Sequence, residues 1–155
     1  MPRLLRVLCS TDLTELGDRA VPYAYALVAD GGLVRLLHVI DVHPTPSPLV
    51  PHYSLEGHES AGERSQRERE AEERLRALVP PEAARRGVRT EVRIVGALDP
   101  ARVIREEADQ LDADAICLAS RSRPGLSSTI LGSVSLDVLR DSSHPVLLIR
   151  PPAGS

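Results

Sequence analysis

Five short apolar runs punctuate the chain, and helix-period stretches fill the gaps between them. Leu4–Cys9, Leu33–Ile40, Ala115–Ala119 and Pro145–Arg150 are compact apolar segments, and Val88–Val95 alternates apolar with polar positions. Each is expected to be a strand. Between the first two, an apolar-periodic segment from about Leu16 to Ala29 closes on Asp30-Gly31-Gly32, a helix stop, and Pro22 should start or kink that helix. From about Ser60 to Val79 the chain is rich in Arg and Glu, with Ala71, Leu75 and Leu78 at helical spacing. That pattern predicts a solvated helix with one apolar stripe, laced by i,i+4 pairs such as Glu70–Arg74, and Pro80-Pro81 ends it. Asp99-Pro100 supplies an N-cap with proline at the first helical position, and Val103, Ile104, Ala108 and Leu111 mark the inward face of a helix reaching about Leu111. A last short helix is expected over Val134–Asp141.

Strands that alternate with helices imply an α/β fold: an open five-stranded parallel sheet with helices on both faces. Crossovers are right-handed, and ligands bind such sheets at the carboxyl ends of the strands, where the winding reverses. One stretch departs from the pattern. Between Asp41 and Glu59, Pro44, Pro46, Pro48 and Pro51 fall close together, so residues 41–59 are expected to be a loop, long for a compact domain. Residues 1–151 read as a single domain and residues 152–155 as a tail.

Composition narrows the function classes. All 19 basic residues are Arg, and the chain contains no Lys. A Walker-type phosphate lysine, a Schiff base and a pyridoxal attachment are therefore excluded. Aromatic residues make up 2% of the chain: three Tyr, with no Phe or Trp. Base-stacking platforms need aromatic faces, so no nucleic-acid partner is expected. No apolar run approaches 18 residues, and Arg6 and Asp12 interrupt the N-terminal one, so neither a membrane partner nor a signal peptide is expected. Cys9 and Cys117 fall inside strand candidates, which suits buried thiols in a cytoplasmic, reducing setting. His43, His52 and His58 match no common metal spacing, and Asp109, Asp112 and Asp114 sit at a helix end; no metal site is expected. No Gly-x-Ser-x-Gly occurs, and no residue presents itself as a base against an attacking water, so no catalytic residue is assigned.

Candidate chemistry concentrates at three strand ends: Ser10-Thr11-Asp12, His38-Val39-Ile40-Asp41, and the Ser/Gly loop ASRSRPGLSSTILGSVS over residues 119–135. The loop follows a strand and ends in Gly132-Ser133 just before a helix, which is the form of a phosphate cradle.

Together these segments resemble the universal stress protein family. The resemblance rests on Val7-Leu-Cys-Ser-Thr-Asp12, Leu36-Leu-His-Val-Ile-Asp41, Gly96-Ala-Leu-Asp-Pro100, Leu131-Gly-Ser-Val134 and Ser143-His-Pro-Val-Leu-Leu-Ile-Arg150, and covers Leu4 to Pro151. It implies a Rossmann-like sheet of the adenine nucleotide alpha hydrolase type, with strand order 3-2-1-4-5. It also implies a regulatory homodimer joined through the Pro145–Arg150 edge strand, a pairing that an open apolar edge invites on physical grounds as well. The ligand implied is ATP, with Mg²⁺ accompanying only the nucleotide. Nucleotide-binding members carry Gly, two residues, Gly, nine residues, Gly and then Ser or Thr. Here that spacing falls on Ala119, Ser122, Gly132 and Ser133, so two of three glycines are replaced.

The resemblance places Asp12 and Val39 against adenine and Ala119, Ser122, Arg123, Gly132, Ser133 and Val134 around the phosphates. Ala119 adds a methyl, and Ser122 adds a hydroxymethyl at a strain of roughly 1 kcal/mol if that position needs a positive φ. A weakened site is expected. Each residue also has a plainer role: Asp12 as a turn or cap, Val39 as core, Ser133 as the cap of the last helix, and Arg121 and Arg123 as solvated surface. A non-nucleotide interaction protein is the competing function, and a slow ATP-hydrolysing enzyme a third.

Overall fold

A computed structural model describes residues 2–42, 60–120 and 132–150. Five strands appear: β1 (Arg6–Ser10), β2 (Leu33–Asp41), β3 (Arg89–Ala97), β4 (Ala115–Ala119) and β5 (Val146–Ile149). Helices α1 (Glu15–Asp18), α2 (Ala20–Leu27), α3 (Ala61–Ala77), α4 (Glu82–Arg85), α5 (Pro100–Leu111) and α6 (Ser133–Asp141) lie between them. The sheet is parallel throughout, in the order β3-β2-β1-β4-β5, as expected. The chain winds outward from β1 to β3, then returns to lay β4 on the other side of β1. The winding therefore reverses between β1 and β4, which is where such sheets open a crevice at their carboxyl ends.

Strand alternation sorts the core into two layers. Val7, Cys9, Val34, Leu36 and Cys117 point to one side, where α2 supplies Ala20, Val21, Ala24 and Tyr25, α3 supplies Ala71 and Leu75, and α4 supplies Ala83. Leu8, Leu37, Ile116 and Leu118 point to the other, against Ala101, Ile104, Ala108 and Leu111 of α5 and Val138 of α6. Leu8, Leu36 and Leu37 are fully buried, and each such side chain contributes about 1.5–3 kcal/mol by leaving water.

The helix boundaries follow local chemistry. Ser60 and Glu63 form a reciprocal capping box at the start of α3, with Glu63 N donating to Ser60 Oγ at 3.2 Å and Ser60 N to Glu63 Oε2 at 2.7 Å. Asp99 Oδ1 accepts from Arg102 N at 3.1 Å and Pro100 opens α5, which ends on Asp112 in the left-handed region. Three details differ from the expected pattern. The helix expected over Leu16–Ala29 is broken at Arg19 into α1 and α2. This puts Pro22 in the first turn of α2, where its missing N–H costs nothing. The turn α4 was not expected, because four residues carry too little period to see. Arg74 does not pair with Glu70: its Nη2 donates to the carbonyl of Leu13, while Glu70 accepts from Gln66 Nε2 at 2.8 Å.

Charges are partnered by structure. Glu107 of α5 is 4% exposed, yet it accepts from Arg35 Nη1 at 3.1 Å and Arg93 Nη2 at 2.9 Å, on β2 and β3. Asp109 Oδ1 lies 2.7 Å from His144 Nε2, Asp112 pairs with Arg6 at 2.8 Å, and Asp114 Oδ2 accepts the N–H groups of Leu5 and Arg6. These aspartates hold the α5–β4 turn to β1 and to the entry of β5. Among the described residues no group of three His, Cys, Asp or Glu side chains is placed to hold a metal, and no helix is long and apolar enough to cross a membrane. His43, His52, His58 and most of the Pro-rich segment lie outside the described residues.

Candidate functional site

A cavity of about 500 Å³ opens at the carboxyl ends of β1, β2 and β4. Ser10, Thr11 and Asp12 come from the end of β1, Val39 and Asp41 from β2, and Leu118 and Ala119 from β4. Gly17 of α1 and Pro100 and Ile104 of α5 form side walls, and Gly132, Ser133, Val134 and Ser135 close the remaining side. Of the residues expected to bind a nucleotide, Asp12, Val39, Ala119, Gly132, Ser133 and Val134 thus meet around one space. Ser122 and Arg123, together with Arg121, lie outside the described residues.

The β1–α1 loop is tied at every step. Thr11 N donates to Leu37 O at 3.0 Å, His38 Nδ1–H donates to Thr11 O at 3.0 Å, and Thr11 Oγ1–H donates to Asp18 Oδ1 at 2.7 Å. Leu13 sits at φ 60, a left-handed conformation that costs a leucine about 1–2 kcal/mol. It is held there from both sides: its N–H bonds Thr11 Oγ1 at 3.0 Å, and its carbonyl receives Arg74. Asp12 Oδ1 accepts from Thr14 N at 3.0 Å and from Thr14 Oγ1 at 2.5 Å, while Thr14 Oγ1 in turn caps α1 through Gly17 N at 3.1 Å. Asp12 therefore fills the plain turn-capping role and lines the cavity at once.

The opposite wall has the reverse polarity. Helix α6 is capped by Gly132, whose carbonyl accepts from Leu136 N at 2.9 Å. The N–H groups of Ser133, Val134 and Ser135 precede that first helical bond, so they and the helix dipole face an anion favourably. The expectation that Ser133 caps this helix is corrected: a glycine holds the cap position, and Ser133 is the first helical residue, an exposed one. Ser135, by contrast, is buried, with Oγ 3.4 Å from Ala119 O. The methyl of Ala119 packs against the core layer shared with Cys117 and α2.

The cavity thus has carboxylates at one end (Asp12 and Asp41), anion-seeking backbone N–H groups at the other, and apolar walls from Val39, Ile104, Leu118 and Val134 between. An amphoteric ligand with a flat apolar centre, hydroxyl or amino donors and a phosphate matches that order. Gly17, Pro100, Ile104 and Leu118 lay outside the three candidate strand ends. Ile104 was readable only as core, Pro100 as the start of a helix and Leu118 as strand. Gly17 carried a signal, since a glycine inside a helical pattern costs about 1 kcal/mol against alanine.

The model of the universal stress protein family matches residues 4–150. This chain belongs to that family. It is 34% identical over 139 residues to universal stress protein G of Shigella flexneri, an overlap of 88% of this chain and 90% of that one. Among solved structures, a universal stress protein in complex with cAMP superposes with a TM-score of 0.62 at 22% identity, covering 97% of this chain and 100% of that one. One from Archaeoglobus fulgidus in complex with dAMP gives 0.60 at 18% identity, with 97% and 100% coverage. At these identities the superpositions speak for the fold.

Proposed function

We infer that this chain is a regulatory member of its family that takes an adenine nucleotide into the cavity at the carboxyl ends of β1, β2 and β4. The observation that carries the reading is the convergence of Asp12, Val39, Gly132, Ser133 and Val134, from three separated segments, on one space with a carboxylate end and a helix-start end. The cAMP and dAMP in the two related structures are adenine nucleotides with a single phosphate, and they support that ligand class. The replaced glycines at Ala119 and Ser122 weaken the hold on a longer phosphate chain and leave the α6 end as the principal anion seat. Any Mg²⁺ enters with the nucleotide.

The working unit in this reading is a homodimer in the cytoplasm. Strand β5 is an edge of the sheet, and Val146, Leu147, Leu148 and Ile149 all remain partly exposed in the single chain. Pairing two such edges satisfies their outward backbone groups and covers apolar surface. Cys9 and Cys117 are free thiols, which fits a reducing compartment.

The test is thermal unfolding with and without AMP or ATP at about 5 mM with Mg²⁺. A ligand that binds only the folded state at 100 times its Kd adds about 2.7 kcal/mol, a Tm rise of roughly 5–10 °C for a domain of this size. No rise with either nucleotide refutes the nucleotide reading and leaves the family member as an interaction protein.

A further inference from the structure

Gly17 stands in the middle of α1 with no positive φ to explain it. An alanine there would suit the helix better on backbone grounds. What forbids a side chain is space. A Cβ on Gly17 would overlap Asp12 Oδ1 and come within 2.9 Å of Thr11 Oγ1. The atoms it meets are side-chain atoms, not backbone: the Asp12 carboxylate has to turn, and the buried Thr11 hydroxyl, held by Asp18 and the Leu13 N–H, has to give slightly. The same oxygen receives the Thr14 amide and hydroxyl. On the far side of the loop, Arg74 of α3 holds the Leu13 carbonyl, next in sequence to Asp12.

We propose that Gly17 and Arg74 are positioning residues for Asp12: Gly17 leaves the space in which the carboxylate lies against α1, Arg74 fixes the loop that carries it, and together they set the cavity's affinity for nucleotide. The affinity half of this rests on the nucleotide reading above; the geometric half does not. Arg74 also ties the site to α3, whose first ten residues are all exposed.

Two measurements on the full chain test this. The first is hydrogen exchange at the Thr14 amide, followed by NMR without ligand. The second is AMP binding by titration calorimetry in a cycle of Gly17→Ala, Asp12→Ala and the double variant. In Gly17→Ala the Thr14 amide is expected to exchange roughly tenfold faster, because its acceptor has been displaced. AMP binding is expected to weaken about tenfold, as for one lost hydrogen bond to a charged group. In the Asp12→Ala background the same substitution should change affinity by less than about twofold, since a residue acting through Asp12 has nothing left to act on. Arg74→Met, which leaves α1 untouched, is expected to move both readouts in the same direction, and it carries the test alone if Gly17→Ala does not fold. Unchanged Thr14 exchange overturns the proposal, and so does an equal loss of affinity with and without the Asp12 carboxylate. A wild-type protein that binds neither AMP nor ATP refutes the nucleotide reading, and the Thr14 amide then decides the positioning by itself.

Discussion

Glu106 and Glu107 are neighbours on α5 with opposite fates, and that contrast yields a quantitative prediction. Glu107 has a side chain 5% exposed, between Arg35 at 15% and Arg93 at 50%. Removing its carboxylate by Glu107→Ala breaks the Arg35 contact at 3.1 Å and the Arg93 contacts at 2.9 and 3.4 Å. Severing a buried pair outright costs about 3–5 kcal/mol when the surviving charge is orphaned. Here it is not. Arg35 keeps Glu91 through Nε at 2.9 Å and Nη2 at 2.8 Å, and Arg93, half exposed, turns to water. The Arg93 pair is therefore discounted to below about 1 kcal/mol. The Arg35 bond, among shielded groups, counts for about 1.5–3 kcal/mol. The expected loss is about 2–3 kcal/mol, read as a lower urea midpoint with an unchanged m-value. Glu106→Ala is the internal control. Glu106 pairs with Arg102 at 2.7 Å, but the two side chains are 50% and 69% exposed, so the loss should stay within about 0.5 kcal/mol. Both substitutions gain the same helix propensity, which cancels in the difference. Equal midpoints for the two variants would refute the account of Glu107 as the charge that fastens α5 to β2 and β3.

Two further outcomes follow from burial and from the sheet edge. Burial pushes the Cys9 thiol well above its ordinary range and the Cys117 thiol up to about 12, the Cys9–Cys117 proximity adding to the former. A raised folded-state pKa means that the stabilisation is whole below the unfolded thiol value, near 8.5, and is lost as pH climbs toward the folded one; for Cys117 alone that is about 2–3 kcal/mol by pH 10.5. Urea midpoints should fall between pH 8 and 10.5 and fall less steeply in Cys117→Ala, and the same slope in both proteins would contradict the assignment. At the sheet edge, Leu148→Pro is expected to yield monomer by analytical ultracentrifugation where the wild type sediments as dimer, because Pro145 O and Ile149 O face β4 while residue 148 points its backbone outward. A wild-type monomer would refute the edge pairing.

The parallel sheet was legible because four of its strands are short apolar runs that need cover on both faces, because the strands alternate with helical patterns, and because Asp30-Gly31-Gly32, Pro80-Pro81 and Asp99-Pro100 mark the boundaries in local chemistry. Helix α5 was legible from its cap to Leu111, but Glu107 was not. A charge on a helix reads as solvent-facing, and its two arginine partners come from strands 72 and 14 residues away. The break at Arg19 had a local cause: Thr14, held by Asp12, caps α1, and Thr11 bonds Asp18, all within a stretch whose apolar period runs on without interruption.

By itself the sequence determined the alternation of strand and helix, the family, and the three strand ends that line the cavity, since all of these depend on period, caps and spacing along the chain. The tertiary structure alone decided that Asp12, Val39 and Gly132 line one cavity, that Glu107 is buried between Arg35 and Arg93, that Arg74 reaches Leu13 instead of Glu70, and that a Cβ on Gly17 would meet the Asp12 carboxylate. Each of these depends on distances between residues that pattern does not relate, and such distances exist only once the layers have packed.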